Sequence, residues 1–272
     1  MAVNGSKFKL IVFEEIEPKV GLVTLNRPAS LNAINIEMAY ELHELYRRLS
    51  AEDSIRVLIL TGKGRGFSSG ADLSAMASYK DKGLLNDPYT YLKVAQETYS
   101  GLIIGLRRIP QPIIAAVNGP CAGIAFSMIL GCDIRIAAPE AYFVASFANI
   151  GLSAGEGGTS YLLPRLIGVS RAAEVLYTGR KFMADEAERS GLVSKIVPRE
   201  QLIETALSYA RQMLSKSAGG LQLTKQVLDQ SLTAPSLEAA IELENRNQTM
   251  MVFSKDFIEA VMAFVGKDKE RK

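Results

Sequence analysis

The sequence contains few of the residues that most often act as enzymatic nucleophiles or metal ligands. Its 272 residues include no tryptophan, two cysteines and a single histidine. Zinc sites need three or four protein ligands, and Cys121 and Cys132 lack the CxxC spacing of such sites, so we expect no bound metal. Serine and cysteine nucleophile systems would both depend on His43, which lies in the middle of a predicted surface helix. We therefore expect neither chemistry.

The chain also lacks a strong net charge and a long uninterrupted apolar run. The net charge of +2 is too small to indicate a nucleic-acid surface. A membrane-spanning helix is not expected, because the longest apolar region, 109–134, is broken by Gln111, Pro112, Asn118, Pro120 and Asp133. The first ten residues contain no apolar core of signal-peptide length. With only two thiols, which fit a reducing compartment, the chain is expected to be soluble and cytoplasmic.

Apolar residues recur with the periods of both strands and helices in the first part of the chain. Two β-type runs around a Glu-Pro-Lys turn predict a hairpin over 9–15 and 20–26. Helical spacing follows over 35–49 and again at about 90–108. The short apolar runs 55–62 and 112–119 each end in glycine, as strands buried on both faces do, and further helix and strand patterns follow at 123–131, 133–138 and 141–146.

The pattern becomes mainly helical from about residue 160, with the short strand-like segment VSKIV between helices. We see no low-complexity linker and no strict repeat. Strand–helix alternation followed by a run of helices predicts an α/β core over 1–199 and a C-terminal helical subdomain over 200–272.

Both buried strands lead into a glycine turn and the start of a helix. The two turns read GFSSGADLSAM (66–76) and NGPCAGIAFSM (118–128). Neither is a phosphate loop, because Phe67 stands where a dinucleotide fingerprint needs its third glycine and no Walker lysine is present. Each helix start can instead present an unpaired backbone N–H, and two such amides converging on one oxygen would form an oxyanion hole. Tight strand–helix packing would also explain either turn alone.

A lone carboxylate, Glu156, lies within the glycine-rich stretch GLSAGEGGTSYLLPRLIG (151–168). One interpretation is structural, since the N-terminus of a helix favours a nearby anion. The other is catalytic, because almost nothing else in this stretch could move a proton. Asp72 is interpreted as the cap of its turn rather than as a proton carrier.

These motifs together resemble the enoyl-CoA hydratase/isomerase, or crotonase, superfamily over nearly the whole chain. Besides the blocks quoted above, the resemblance rests on VTLNRPASLNAIN (23–35), AAVNGPCAGIAFSMILGCDIRIAA (115–138) and ADEAERSGLVSKIVP (184–198). It implies an α/β fold, a spiral of ββα turns, with C-terminal helices that drive assembly into homotrimers, often paired as hexamers. It also implies that acyl-CoA thioesters are the substrates, with no separate cofactor.

The resemblance assigns roles to individual residues. The Ala71 and Ile124 amides match the two oxyanion-hole donors, although glycine is usual at the second position, so the Ile124 side chain must point away from the thioester. The CoA-binding positions are implied to be Arg27, Ala29, Leu31, Ser69, Ala71, Asp72, Leu73 and Gly123, together with Phe264 and Lys267 on a terminal helix that reaches a neighbouring subunit's CoA.

The departures from the family pattern concern the acids. Hydratase members use two glutamates, and the matching positions here hold Ser127 and Phe147. Glu156 falls where several isomerase-like members carry an acid. One acid facing an oxyanion hole suffices to move a double bond, whereas adding water normally benefits from a second group. We therefore expect Δ3–Δ2 isomerisation of an enoyl-CoA; the alternatives are hydration of a 2-enoyl-CoA by Glu156 alone, in fatty-acid or related acyl-CoA degradation, and acyl-CoA binding without catalysis.

Overall fold

The computed structural model of the chain describes residues 8–83 and 86–269, and of residues 263 and 265–269 the backbone alone. The strands and α-helices, in chain order, are β1 (Ile11–Glu17), β2 (Val20–Leu25), α1 (Ile36–Leu49), β3 (Val57–Gly62), α2 (Leu73–Asp81), α3 (Pro88–Tyr91), α4 (Glu97–Arg108), β4 (Ile113–Val117), β5 (Cys121–Ala122), α5 (Ile124–Leu130), β6 (Ile134–Ala137), β7 (Tyr142–Val144), α6 (Thr159–Ile167), α7 (Val169–Thr178), β8 (Phe182–Met183), α8 (Ala184–Arg189), β9 (Lys195–Ile196), α9 (Leu202–Leu214), α10 (Ala218–Ser231), α11 (Leu237–Val252) and α12 (Lys255–Lys269). Short 3-10 turns lie at Pro28–Ser30, Ala148–Ile150 and Arg199–Gln201.

A six-stranded sheet in the order β1-β2-β3-β4-β6-β9 forms the centre of the fold. The β1–β2 hairpin is antiparallel, and every later pair in this sheet is parallel. All residues of β3 and β4 are buried, as the continuous apolar runs predict. The carboxyl ends of these parallel strands therefore open at one edge of the sheet, where the glycine turns begin.

Alternate residues of the sheet pack into two separate apolar clusters. On one face Leu58 and Ala115 join the side chains of α1, α4 and α5. On the other face Ile59 and Ala116 pack against Leu202, Ala206, Leu207 and Ala210 of α9. A second, three-stranded sheet, β5-β7-β8, continues the fold beyond the large sheet. This mixed α/β architecture is the crotonase-like one that the sequence predicts.

His43 occupies a different environment from the one predicted. It lies on the face of α1 that packs against α4, and its Nε2 donates to the carbonyl of Thr98 at 2.9 Å. Two glycines of α4 allow the two helices to approach closely. A Cβ at Gly101 would lie 2.9 Å from His43 Cε1, and one at Gly105 would lie 2.7 Å from Tyr46 Cδ2. The prediction of a surface histidine was wrong, since these glycines, distant in the sequence, create its packing surface.

A buried lysine joins the C-terminal helices to the sheet. Lys225 of α10 has a side chain only 6 % exposed, and its Nζ lies 3.1 Å from Asp133 Oδ2. The same ammonium donates to the carbonyls of Leu106 and Gln111. Burial lowers the pKa of Lys225, although Asp133 acts in the opposite direction. Asp133 Oδ2 also accepts from the Ile113 amide at 2.8 Å, so α10 is tied to the first residue of β4.

Large apolar side chains remain exposed on the C-terminal helices. Leu237, Phe253 and Met262 are each at least 70 % exposed. A large contiguous apolar patch is uncommon on a monomeric protein, whereas single exposed apolar side chains are ordinary. The predicted division at residue 199 and the predicted role of these helices in trimer formation both stay predictions.

Replacing Lys225 by methionine should destabilise the fold. The substitution leaves the carboxylate of Asp133 without its cation, so the free energy of unfolding should fall by about 3 kcal/mol. Urea unfolding followed by circular dichroism measures the change, at one protein concentration because assembly alters apparent stability. Lys255, whose side chain is 85 % exposed, provides the matched Lys255→Met control with a change below about 0.5 kcal/mol. Equal effects of the two substitutions would contradict a structural role for the buried pair.

Candidate active site

Two buried asparagine side chains hold together the loops that follow β2, β3 and β4. Asn32 is fully buried, and its Nδ2 donates to the carbonyls of Lys63, Gly66 and Phe67. Asn118 donates in the same way to Gly62, Gly64 and Gly66. Buried backbone carbonyls need such partners, so each amide substitutes for regular sheet hydrogen bonding where the strands have ended. Sequence reasoning missed both residues, because their partners lie 31 to 56 residues away.

A parallel bridge between the two glycine turns aligns the predicted oxyanion donors. Ser68 pairs with Cys121. Ala71 and Ile124 each lie three positions after a bridged residue, so the register places them at the same level of the two turns. The backbones are also in direct contact: a Cβ at Gly70 would lie 2.6 Å from the Ala122 carbonyl oxygen.

Glycine immediately precedes each of these donors, in a conformation that other residues rarely adopt. Gly70 has a φ of +92° and Gly123 a φ of +54°. Ile124 is the first residue of α5, where no intrahelical acceptor exists for its N–H. Within residues 8–83 and 86–269, neither the Ala71 amide nor the Ile124 amide donates a hydrogen bond. The Ile124 side chain is 2 % exposed and packs in the core, with its Cδ1 beside Gly157 of the loop that carries Glu156.

The loop that carries Glu156 is fixed against α5. Ser127 Oγ donates to the Glu156 carbonyl at 3.1 Å, and Thr159 Oγ1 accepts from the Glu156 amide at 3.1 Å. A Cβ at Gly157 would lie 2.7 Å from Ile124 Cδ1 and 2.9 Å from Ser127 Cβ. Glycine is therefore required at 157 for this loop to reach the first turn of α5. The contact brings the main chain at Glu156 to the first turn of α5, the helix whose first residue is Ile124.

The Glu156 carboxylate binds a side chain rather than a helix N-terminus. Gln96 Nε2 donates to Oε1 at 2.6 Å and to Oε2 at 2.7 Å. Glu156 is half-buried. Tyr91 lies close enough for the negative charge of Glu156 to affect its hydroxyl group. Burial raises the pKa of Tyr91, and the Glu156 charge adds to that rise. Helix α6 begins only at Thr159, and its N-cap is Gly158. The carboxylate of Glu156 therefore binds Gln96 and does not cap this helix, unlike in the structural interpretation.

The two positions that the family resemblance matches to the hydratase glutamates, Ser127 and Phe147, contain no acid. Ser127 is fully buried on α5 and Phe147 is 7 % exposed. Ser127 supports the Glu156 loop through the hydrogen bond described above. It therefore acts on the main chain that carries the lone acid.

Arg27 and Asp72 form an ion pair beside the Ala71 turn. Arg27 Nη1 lies 2.8 Å from Asp72 Oδ2. Asp72 caps α2 by accepting from the Ala75 amide at 3.0 Å, which agrees with its predicted capping role. Burial alone would raise the pKa of Asp72, but the Ala75 amide and Arg27 outweigh it and lower that pKa.

Most of the other predicted CoA-binding residues lie near this ion pair. The Ser69 amide donates to the Leu31 carbonyl at 2.9 Å, which joins the 3-10 turn containing Ala29 to the Ala71 turn. Ala29 and Leu73 are exposed. Phe264 lies on α12, and its side chain is 72 % exposed. The Lys267 side chain lies outside the part of the chain that the structure describes.

The described residues contain no group of three or more His, Cys, Asp or Glu that could hold a metal ion. None of the helices that the structure describes combines the length and apolarity needed to cross a membrane.

Comparison with known proteins identifies the family of this chain. Residues 15–271 match the family model described as enoyl-CoA hydratase/isomerase. The chain is 43 % identical over 259 residues to the probable enoyl-CoA hydratase echA12 of Mycobacterium bovis, covering 95 % of this chain and 90 % of that protein. It is 37 % identical over 258 residues to the 1,2-epoxyphenylacetyl-CoA isomerase of Escherichia coli, covering 94 % and 95 % of the two chains.

A solved structure extends the similarity to three dimensions. The monofunctional enoyl-CoA isomerase of M. smegmatis superposes with a TM-score of 0.73 at 43 % identity, covering 86 % of this chain and 99 % of that chain. The paired glycine turns, the free amides and these similarities lead to one conclusion: the chain belongs to the enoyl-CoA hydratase/isomerase family, within the crotonase superfamily of enzymes.

Proposed function

We propose that this enzyme moves the double bond of an enoyl-CoA from the Δ3 to the Δ2 position, with Glu156 as its single acid–base group. The observation that carries the proposal is the placement of Glu156. It is the carboxylate of the loop seated on α5, whose first amide is a free oxyanion donor. Ser127 and Phe147 occupy the positions that match the hydratase glutamates.

The proposed reaction returns every atom to the substrate. Glu156 removes a proton from C2 of a 3-enoyl thioester, and the electron pair delocalises onto the thioester oxygen. The amides of Ala71 and Ile124 stabilise this oxyanion, an interaction whose single donors are worth roughly 100- to 1000-fold in rate. The carboxylic acid then protonates C4, which leaves the double bond between C2 and C3. Since one group takes and returns the same proton, no second acid and no cofactor is required.

A second candidate is hydration of a 2-enoyl-CoA, because the Mycobacterium bovis relative, 43 % identical to this chain, is called a probable enoyl-CoA hydratase. The Mycobacterium bovis relative is called a probable hydratase, whereas the M. smegmatis structure is called an isomerase. Hydration would require Glu156 alone to activate water and protonate C2. General acid–base groups contribute about 100- to 10,000-fold each, so lacking the second group should make hydration slow.

The CoA moiety is proposed to bind along the patch at the Ala71 turn. That patch comprises Arg27, Ala29, Leu31, Ser69, Asp72, Leu73 and Gly123. The exposed apolar side chains of the C-terminal helices support assembly into a homotrimer or homohexamer, in which Phe264 and Lys267 would reach a neighbour's CoA. In the same proposal residues 1–199 form the catalytic core, residues 200–272 the assembly subdomain, and the enzyme works in the cytoplasm.

Glu156→Gln tests the assigned acid–base group. The amide keeps the size and polarity of the side chain but cannot take up a proton, so kcat for a 3-enoyl-CoA should fall about 100- to 10,000-fold. The dissociation constant of a saturated acyl-CoA should change less than about threefold, because the carboxylate does not bind the CoA moiety. Steady-state kinetics and calorimetry measure the two quantities.

The matched control is Glu140→Gln, which removes an exposed carboxylate that pairs only with Arg199 within the described residues. Its kcat should equal that of the unmodified enzyme. If Glu156→Gln retains full turnover, the proposed mechanism is wrong.

A substrate panel separates isomerase from hydratase. With 3-enoyl-CoA as the substrate, the absorbance of the conjugated thioester should rise. With 2-enoyl-CoA as the substrate, that absorbance should fall through hydration, with a kcat at least about 100-fold lower than the kcat of isomerisation. The reverse ratio would identify a hydratase. Tight acyl-CoA binding with turnover of neither substrate would identify a binding protein.

A further inference from the structure

The side chain that holds Glu156 comes from an irregular point in a long helix. Residues Pro88–Arg108 run continuously through α3, a five-residue π-helical segment at Leu92–Gln96, and α4. The Glu97 amide donates to the Leu92 carbonyl, five residues back. Such π segments occur mostly as single turns and are frequent at functional sites, because they change the direction in which the following side chains project. Gln96 is the last residue of the segment.

The helix that follows Gln96 is fixed to both halves of the site. The close packing of α1 on Gly101 and Gly105 holds one side of α4. On the other side, the Tyr99 hydroxyl donates to the Ile34 carbonyl at 3.1 Å. That same carbonyl accepts from the Asp72 amide at 2.9 Å, next to the oxyanion donor Ala71. The backbone at Gln96 is thus fixed in position relative to the turn that carries Ala71, and the side-chain amide of Gln96 reaches the Glu156 carboxylate.

The contact between Gln96 and Glu156 involves both carboxylate oxygens. The amide nitrogen lies 2.6 Å from Oε1 and 2.7 Å from Oε2, so it sits in the fork of the carboxylate. Within the described residues no other side chain donates a hydrogen bond to these oxygens. A neutral amide orients the carboxylate without the charge of an arginine or lysine, which would oppose protonation. It also has no titratable proton of its own, so Glu156 remains the sole proton carrier.

We propose that Gln96 is the positioning residue for Glu156, holding the carboxylate plane constant while the proton is taken from one carbon and delivered to another. When one oxygen becomes protonated, the amide keeps its hydrogen bond to the other. The inference rests on the proposed acid–base function of Glu156. It adds that the orientation of the Glu156 carboxylate depends on a residue 60 positions away, at the end of the π-helical segment.

Gln96→Leu tests the inference, because leucine has a similar volume and no donor. Loss of a hydrogen bond to a charged group should lower kcat for the 3-enoyl-CoA about 10- to 100-fold. The dissociation constant of a saturated acyl-CoA should stay within about threefold. Gln212→Leu on α9 is the matched control, since Gln212 is exposed and, among the residues that the structure describes, its Nε2 donates only to Ser208 of its own helix. A kcat for Gln96→Leu equal to that of this control would overturn the inference.

Coupling to Glu156 distinguishes a positioning role from a general structural one. Added to Glu156→Gln, the Gln96→Leu substitution should lower the residual turnover less than about threefold, because the acid it orients is already gone. A full 10- to 100-fold loss in that background would overturn the inference. If Glu156→Gln alone leaves turnover intact, the proposed function fails instead, and the two failures are thereby separated.

Gln96→Glu keeps the shape of the side chain and covers the case in which leucine impairs folding. The new carboxylate would stand beside Glu156 and repel its charged form, so the acid limb of the kcat profile should move to higher pH. A profile that coincides with that of the unmodified enzyme would overturn the inference.

Discussion

The close approach of two backbone segments is the constraint on which the site depends. At Gly70 the first turn comes so near to the carbonyl of Ala122 that no side chain fits between them. That contact, with the Ser68–Cys121 bridge, sets the amides of Ala71 and Ile124 at one level. Preorganised donors of this kind act without reorganising during the reaction, which is why their rigid placement matters. The buried amides of Asn32 and Asn118 maintain it by satisfying carbonyls that the sheet leaves unpaired.

The loop that carries Glu156 is also held by a close approach at a glycine, in this case to helix α5. Gly157 allows its loop to lie on α5, and Ser127 holds the main chain of that loop. Helix α5 therefore serves both parts of the proposed chemistry, because its first amide is the proposed oxyanion donor and Ser127, in the same turn, supports the loop that carries the acid. A glutamate at 127 could not donate a hydrogen bond from a carboxylate to the same carbonyl. The serine thus supplies a main-chain support for the Glu156 loop that a glutamate carboxylate at this position could not supply.

Sequence reasoning succeeded where structure follows from local pattern. The hairpin, the buried strands and α1 follow from apolar periodicity, and the family was identified from blocks in a fixed order. The paired glycine turns were also predictable, since each combines a strand end with a helix start. Gln96, Asn118 and the packing of His43 were not, because each depends on a partner more than 50 residues away. No local sequence pattern indicates which face of a helix will pack against a glycine far away in the chain. Gln96, in addition, belongs to no motif.

The π-helical segment Leu92–Gln96 gives this part of the chain an unusual sensitivity to length. One extra residue in a turn changes the phase of a helix, and an α-helix advances by about 100° per residue. Removing a single residue here could restore regular α-helical bonding while rotating everything on its amino-terminal side, including Tyr91, relative to α4. Substitutions in the same five positions would leave that phase untouched. Besides the identity of Gln96, insertions and deletions are therefore the changes in relatives that would alter this part of the site.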